Sequence, residues 1–425
     1  MKLIDVLLDP KDKLYFSQLT EATCLACHQS QATPQVRDAH PNLLDFDPVK
    51  PGGLKSYPAI WTQDFTMIFA SGFISDAVAL EHLRIILKTQ NGSQSRSMKT
   101  GALVPPWAIA DHVNFDGSPV FFPGTYSSGD DQGGSYGYRP PYNNYFDVIW
   151  LAWMLVSQSE SPLALLHEEI EGMTVYERLL KAFSVPPVDA QGIVFTTAAE
   201  RAVGFIFCDT VHMTGQLLMP TLLRMRAASH MRDLAMHFGD DAMAQYFASE
   251  AQRALPHIGQ TFAHDSGWLR ASTDMSSEPD VFGTLYAMYS HAISGTCIND
   301  ARKALVNALD RGYIEQDGAI RHVPLNHQFA SDATWEKSTT SNNYYQNGGY
   351  WFMPAGWLTA VLYEFRPHQA RAYLQRYLTA LKQEDFRDGN SFAPWEWIFE
   401  DVRSENCPVF GPSVTLPYAI LTGKA

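Results

Sequence analysis

Apolar positions recur at helical spacing along most of the chain. Trp351, Ala355, Leu358, Leu362 and Phe365 fall at intervals of four, three, four and three, one face of a helix. Pro367 then starts a partner helix, with Ala370, Tyr373, Tyr377 and Leu381 on one face. The same pairing predicts helices over 144–158 and 161–183, the second opened by Ser161 and Pro162. It continues over 214–238 with about 241–262, and over 281–294 with 299–311. An apolar run from Phe65 to Phe73 precedes an amphipathic helix over 76–90, and strand patterning is sparse.

Helical hairpins can stack into a solenoid, but that leaves self-similarity at a fixed period. No such period is present, and alternate connections are long and aromatic-rich. The expectation is an all-α chain, a closed (α/α)6 toroid with site-forming loops on one face. Residues 111–143 crowd Gly, Ser, Pro and Tyr together, which predicts a long functional loop or small β insertion. Residues 1–55 are mixed and end near Pro51-Gly52-Gly53. They are expected to be an N-terminal extension packed on one catalytic domain of residues 56–425.

Composition narrows the function. Of 425 residues 46% are hydrophobic and 18% charged, enough for a large core and too little charge for disorder. A net charge of −14 removes nucleic acid from the expected partners and suits neutral or cationic ligands. There is no run of 18 apolar residues, so no membrane span is expected. Asp5 and Asp9 interrupt any secretory signal, and an odd count of five scattered cysteines suits a reducing compartment, so the expected location is cytoplasmic.

Cys24-Leu-Ala-Cys27-His28 has the spacing by which a c-type haem is attached. Its loop-like surroundings, the missing export signal and the unrecognisable spacing to His40 favour ordinary cysteines. Gly-x-Ser-x-Gly, Gly-x-Gly-x-x-Gly after a strand, and His-Glu-x-x-His are absent, so no cofactor or metal is expected.

Aromatic rings meet amides and carboxylates in a few loops: "SYPAIWTQDFTM" (56–67), "GTYSSGDDQGG" (124–134), "GFIFCDTVHMTGQ" (204–216), "NNYYQNGGYW" (342–351) and "NSFAPWEWIFED" (390–401). Sugars present CH-rich faces and dense hydroxyls. Rings stack on the former, and carboxylates and amides take paired hydroxyls.

"YPAIWTQDFTM" resembles the Trp-x-Arg-Asp entry loop of the six-hairpin (α/α)6 glycosidases, the glucoamylase-like and debranching-enzyme-like superfamily. "YYQNGGYW" resembles their Gln-Asn-Gly-Gly-x-Trp segment, and the helical pairing from about 57 to 422 is similar. Gln63 departs from the pattern by standing where an arginine is usual. The resemblance implies hydrolysis of an oligosaccharide or glycoconjugate, exo-acting and inverting, through two carboxylates. It implies Asp209, mid-chain behind Phe205, Ile206 and Phe207, as the acid, and Glu396, between Trp395 and Trp397, as the base. A helix N-cap is the competing reading of Asp209, and a helix-start glutamate that of Glu396. Glu400, Asp401, Glu336 and Asp280 are rivals, although Asp280 reads better as the cap of a helix from Val281.

By the same resemblance Trp61, Gln63 and Asp64 would bind the terminal sugar. Tyr126, Asp130 and Asp131 would sit in a glycine-rich lid, and Tyr345, Gln346, Asn347, Trp351 and Trp395 would form the late wall. Sugar epimerases share such a toroid and use paired histidines, for which His212, His264, His291, His322 and His327 are available. A phosphorylase on this scaffold, or a non-catalytic sugar-binding protein, would fit the same pattern.

Overall fold

The computed structural model describes residues 2–29, 44, 46–54, 57–158, 162–389, 391–404 and 407–425. Six helices form an inner ring: α2 (Thr62–Ala70), α4 (Asn143–Gln158), α6 (Leu218–Phe238), α8 (Val281–Tyr289), α10 (Ala355–Phe365) and α12 (Pro412–Thr422). Each packs on the next, and α12 packs back on α2, so the ring is closed. The outer helices are α1 (Pro10–Gln29), α3 (Asp76–Lys88), α5 (Val175–Phe183), α7 (Asp241–Arg253), α9 (Gly295–Asp310) and α11 (Pro367–Gln383). The architecture is therefore the expected all-α (α/α)6 toroid.

Composition decides which helix goes inside. All nine residues of α2 are buried, the polar Thr62, Gln63, Asp64 and Thr66 along with the apolar ones. Its threonines survive burial because Thr62 Oγ1 donates to Ala110 O at 3.2 Å and Thr66 Oγ1 to Thr62 O at 2.8 Å. Outer α3 buries only one stripe, with Ala79, Leu83, Ile86 and Leu87 inside. Burying each large side chain of that stripe is worth about 1.5–3 kcal/mol. Gly356 lets α10 approach α12: a Cβ there would lie 2.8 Å from Pro417 Cα and 2.8 Å from Ile420 Cδ1.

Several boundaries differ from the sequence pattern. The helix expected over 161–183 is two, Pro162–His167 and α5, with a hairpin of Glu169–Ile170 and Met173–Thr174 between them. A capping box of Thr174 and Glu177 starts α5 afresh. The segment expected to begin as helix at 350 opens with a strand, Tyr350–Trp351, and the helix expected to reach 294 ends at Tyr289. Residues before α2 are not only loop: α1 spans 20 residues and packs on α12, beside the sixth inner helix. The Cys24-x-x-Cys27-His28 motif lies on α1. Cys24 Sγ meets Ser71 Oγ at 3.5 Å, Cys27 Sγ faces Pro51 O at 3.4 Å, and His28 meets Asp47 O at 3.1 Å. His40 and Ser161 lie outside the described residues.

Two small antiparallel sheets carry the loops at the site. One orders Ala59–Trp61, His112–Asn114 and Pro119–Val120, so the 111–143 segment does hold a β insertion. The other has five strands, Glu315–Gln316, Ala319–Arg321, Tyr350–Trp351, Trp397–Phe399 and Val402–Arg403. Trp61 stands opposite His112 in the first register, and Trp351 opposite Trp397 in the second.

Candidate functional site: a carboxylate cavity in the toroid

The long connections converge on a cavity of about 210 Å3. Its carboxylates are Asp64, Asp209 and Glu396, and its rings include Tyr57, Trp61, Tyr126 and Tyr345. Each comes from a different local device. Asp64 stands in the first turn of α2. Asp209 ends a 3-10 turn, Ile206–Cys208, and caps no helix, which removes the N-cap reading. Glu396 directly precedes a strand, Trp397–Phe399, rather than starting a helix. Asp280 does cap α8, accepting from Gly283 N at 2.8 Å.

Glu396 is the better hydrogen-bonded of the two mid-chain and late carboxylates. Tyr57 OH donates to it at 3.2 Å, Ser404 Oγ at 3.2 Å and Tyr345 OH at 3.4 Å. Burial still pushes its pKa up to about 8, with the three hydroxyls pulling it down. Both tyrosines adopt left-handed backbone, Tyr57 at φ 52° and Tyr345 at φ 53°. Such residues cost of order 1–3 kcal/mol and persist where the surroundings over-determine them. Gly348, at φ 121°, and Gly349 permit the second bend; a Cβ on Gly349 would lie 2.5 Å from Tyr345 O and 2.8 Å from Trp397.

Asp209 has the opposite environment. Its Oδ1 is buried without a hydrogen-bond partner. Burial raises its pKa well above the usual carboxylate range, and the charges of Asp111 and Glu396 add to the shift, while the Gln346 side chain and the Thr210 backbone N–H pull against it. Gln346 fixes the loop behind it, donating to Ile206 O and accepting from Thr210 N, each at 2.8 Å. Asp64 is also raised, first by burial and then by Glu396 and Asp111. Among the described residues the lining contains no lysine, arginine or histidine side chain.

Of the residues singled out in the sequence, Asp209, Glu396, Trp61, Asp64, Tyr126 and Tyr345 share the cavity wall. Gln63 does not reach it. Its fully buried amide accepts from Asn143 Nδ2 at 2.6 Å. Asn143 also donates to Asp147, forming a polar network among the inner helices. Gln346, Asn347 and Trp351 stand behind the wall: Asn347 donates to Thr340 O and Trp351 packs on Tyr345 and Phe207. Trp395 is turned away, its indole N–H on Glu384. Asp130 and Asp131 are exposed, the latter accepting from Ser127. Glu336, Glu400 and Asp401 do not line the cavity.

Sequence reasoning missed Tyr57, Ser404 and Asp111. Two are lone polar residues brought in by other elements, and Tyr57 gave only an aromatic ring beside a proline. It also missed the plane on which Trp61 rests: His112 stacks on it with centroids 4.1 Å apart. None of His212, His264, His291, His322 or His327 lines the cavity. His322 lies behind it, 3.1 Å from Cys208 Sγ and 3.4 Å from Asp280 Oδ1, both through the same ring nitrogen, Nε2. His322 Nδ1 also lies 3.6 Å from the sulfur, and burial drives the Cys208 thiol well up, which argues against a nucleophilic site. Among the described residues no group of three or more His, Cys, Asp or Glu side chains is placed to hold a metal ion.

No protein-family model and no curated protein sequence matches the chain. Solved structures do. Glucoamylase from Saccharomycopsis fibuligera matches with a TM-score of 0.61 at 13% identity, over 97% of this chain and 96% of that one. A GH63 mannosylglycerate hydrolase from Thermus thermophilus, solved with glucose, matches at TM-score 0.56 and 11% identity, over 94% and 99%. A rhamnosidase from Klebsiella oxytoca with rhamnose bound matches at TM-score 0.57 and 10% identity, over 98% of this chain, which spans 64% of that one. The fold of this chain is the one these proteins share, the (α/α)6 toroid of the six-hairpin glycosidase superfamily.

Proposed function

We propose that the chain is a glycoside hydrolase, exo-acting and inverting, on the terminal sugar of an oligosaccharide or glycoconjugate. The observation that carries this reading is the pair Asp209 and Glu396 in one buried cavity with opposite surroundings. Asp209, desolvated and with an oxygen unpartnered, is suited to hold a proton and deliver it to the glycosidic oxygen. Glu396, with three hydroxyl donors, is suited to be the carboxylate that takes a proton from water. Water oxygen bonds to the anomeric carbon as the bond to the leaving group breaks; its proton passes to Glu396 while that of Asp209 passes to the leaving oxygen. Exchange with solvent restores both groups.

Trp61, Tyr57, Tyr126 and Tyr345 supply faces for stacking, and the volume suits one sugar ring, which supports exo action. Phosphorolysis would need a cation for the phosphate, and epimerisation a histidine pair; among the described residues the lining offers neither. No nucleic acid is expected at so acidic a site, and no described helix is long and apolar enough to cross a membrane.

The test is a panel of natural and aryl glycosides, read by released sugar and by the anomer seen first in NMR. Asp209→Asn and Glu396→Gln should each lower kcat about 100-fold or more with little change in sugar binding. Turnover untouched by either change would remove the assignment. No turnover of any glycoside, with saturable binding of free sugar, would favour the binding-protein reading.

A further inference from the structure

A second hollow adjoins the catalytic cavity. It measures about 790 Å3 and shares Tyr344 and Trp397 with the cavity wall. Those two rings meet edge to face, centroids 4.8 Å apart, and form the step between the two spaces. Leu54, Phe392, Trp395, Val402 and Pro408 line the rest of the hollow beside Asp401, Arg403 and Ser404. Leu54, Tyr344, Phe392 and Val402 are each between 43% and 51% exposed. Four large apolar side chains open around one depression mark a surface to be covered.

Among the described residues, most polar groups of this hollow are already engaged. Arg403 is held by Glu384 at 2.8 Å, and the indole N–H of Trp395 ends on the same Glu384 carboxylate. The hydroxyl of Ser404 is committed to Glu396. Asp401 is an exposed carboxylate at the rim. A second sugar lying here would bring many hydroxyls to a wall with few free partners for them, and would lose part of their hydration. The catalytic cavity is built in the opposite way, from carboxylates and hydroxyls.

We infer that this hollow receives the leaving group, and that the substrate is a glycoside whose aglycone is apolar, aryl or alkyl, rather than a further run of sugars. The inference rests on the hydrolase reading for its chemistry, and on the continuity of the two spaces for its occupant. With one sugar ring in the cavity, the glycosidic oxygen leads past Tyr344 and Trp397. The group attached to that oxygen then meets Phe392 and Val402.

The experiment compares methyl, n-hexyl and phenyl glycosides of glucose, mannose and rhamnose in both anomers, below any micelle concentration. Each buried methylene is worth about fourfold in affinity. For the sugar that is turned over, kcat/KM should be at least about tenfold higher with the hexyl or phenyl group than with methyl. The exposed positions Phe392 and Val402 can be changed without disturbing the core, and Phe392→Asn with Val402→Asn should collapse that ratio toward one. A ratio near one in the wild type, or a high ratio that the double variant leaves unmoved, overturns the inference. If no glycoside is hydrolysed, the hydrolase reading fails by itself. Calorimetric binding of the hexyl and methyl glycosides then decides the hollow: the same tenfold preference, lost in the double variant, sustains it, and equal or absent binding removes it.

Discussion

Two cavities lie within the inner ring, and they treat a buried carboxylate in opposite ways. The first, formed by the long loops, gathers Asp64, Asp209 and Glu396 with no cation on its wall among the described residues. The second, about 220 Å3, is walled by the inner helices themselves, including Trp150, Arg226, Tyr286 and Trp357. There Asp147 is bound by Arg226 at 3.0 Å, and the guanidinium lies 4.2 Å from the centre of the Trp150 ring. Burial raises the pKa of Asp147 too, but Arg226 and Asn143 pull against it. A pair balanced in this way holds helices together. Carboxylates gathered without a counter-ion cost stability, and sites that keep such groups are functional candidates. The difference separates a structural cavity from the proposed catalytic one on charge balance, where volume would not.

The largest expected effect breaks the balanced pair. Arg226→Met leaves Asp147 buried without its cation and removes the stacking on Trp150. Losing one partner of a buried pair costs about 3–5 kcal/mol, and the exposed edge of this arginine places the loss near 3 kcal/mol. Denaturant unfolding should show it, with kcat on the preferred glycoside reduced no more than a few-fold. A stability within 1 kcal/mol of wild type would remove the contrast between the two cavities.

The unbalanced cavity should show its cost as a pH dependence. Glu396 titrates near 8 in the folded chain against an ordinary value of 4.5, and Asp64 and Asp209 are raised as well. A group raised on folding favours the folded state while protonated. Its contribution is complete below the unfolded value and is lost as pH rises through the folded one. The Tm should therefore fall between about pH 5 and pH 9, and Glu396→Gln should flatten that slope while raising Tm at pH 8. A Tm that climbs over this window, or a slope the variant leaves intact, would contradict the shared direction of the three shifts.

A smaller effect tests the ring that makes both cavities. Gly356→Ala places a Cβ against the backbone of Pro417, where neither helix has room to yield. Overpacking of this kind costs about 1–3 kcal/mol. A variant as stable as wild type would show that α10 and α12 can part without consequence.

How much of this was legible in the sequence follows from which forces are local. The toroid was, because apolar stripes such as Ala370, Tyr373, Tyr377 and Leu381 carry the helical period, and apolar runs such as that from Phe65 to Phe73 announce burial. Asp209 and Glu396 could be picked out because each stands among aromatic or apolar neighbours in a loop. The misplacements share one cause. Gln63, Asn347 and Trp395 sit beside site residues in the chain, but a helix or strand turns adjacent side chains to different faces, so Gln63 went to Asn143 and Trp395 to Glu384. Ser404 and Asp111 carried no local signal, since their role depends on the register of short strands that the pattern does not encode. The helix boundaries at Tyr289 and Ala355 were missed as well.

Ser404 gives the finest test of the comparison, because it acts on Glu396 alone. Its hydroxyl, buried, donates to Oε2 at 3.2 Å, and no other cavity carboxylate receives it. Removing it in Ser404→Ala withdraws one of three donors that favour the charged form, so Glu396 should hold its proton to higher pH. A hydrogen bond to a charged group contributes about 1.5–3 kcal/mol and one pKa unit corresponds to about 1.4 kcal/mol, so the shift should be about one unit. If Glu396 must be ionised to act, the ascending limb of kcat/KM moves up by that amount while the plateau and the descending limb stay nearly in place. A serine that only packs would instead lower Tm and scale the whole profile down without moving either limb. Were the descending limb to move in place of the ascending one, Glu396 would be the acid, and the roles of the two carboxylates would have to be exchanged.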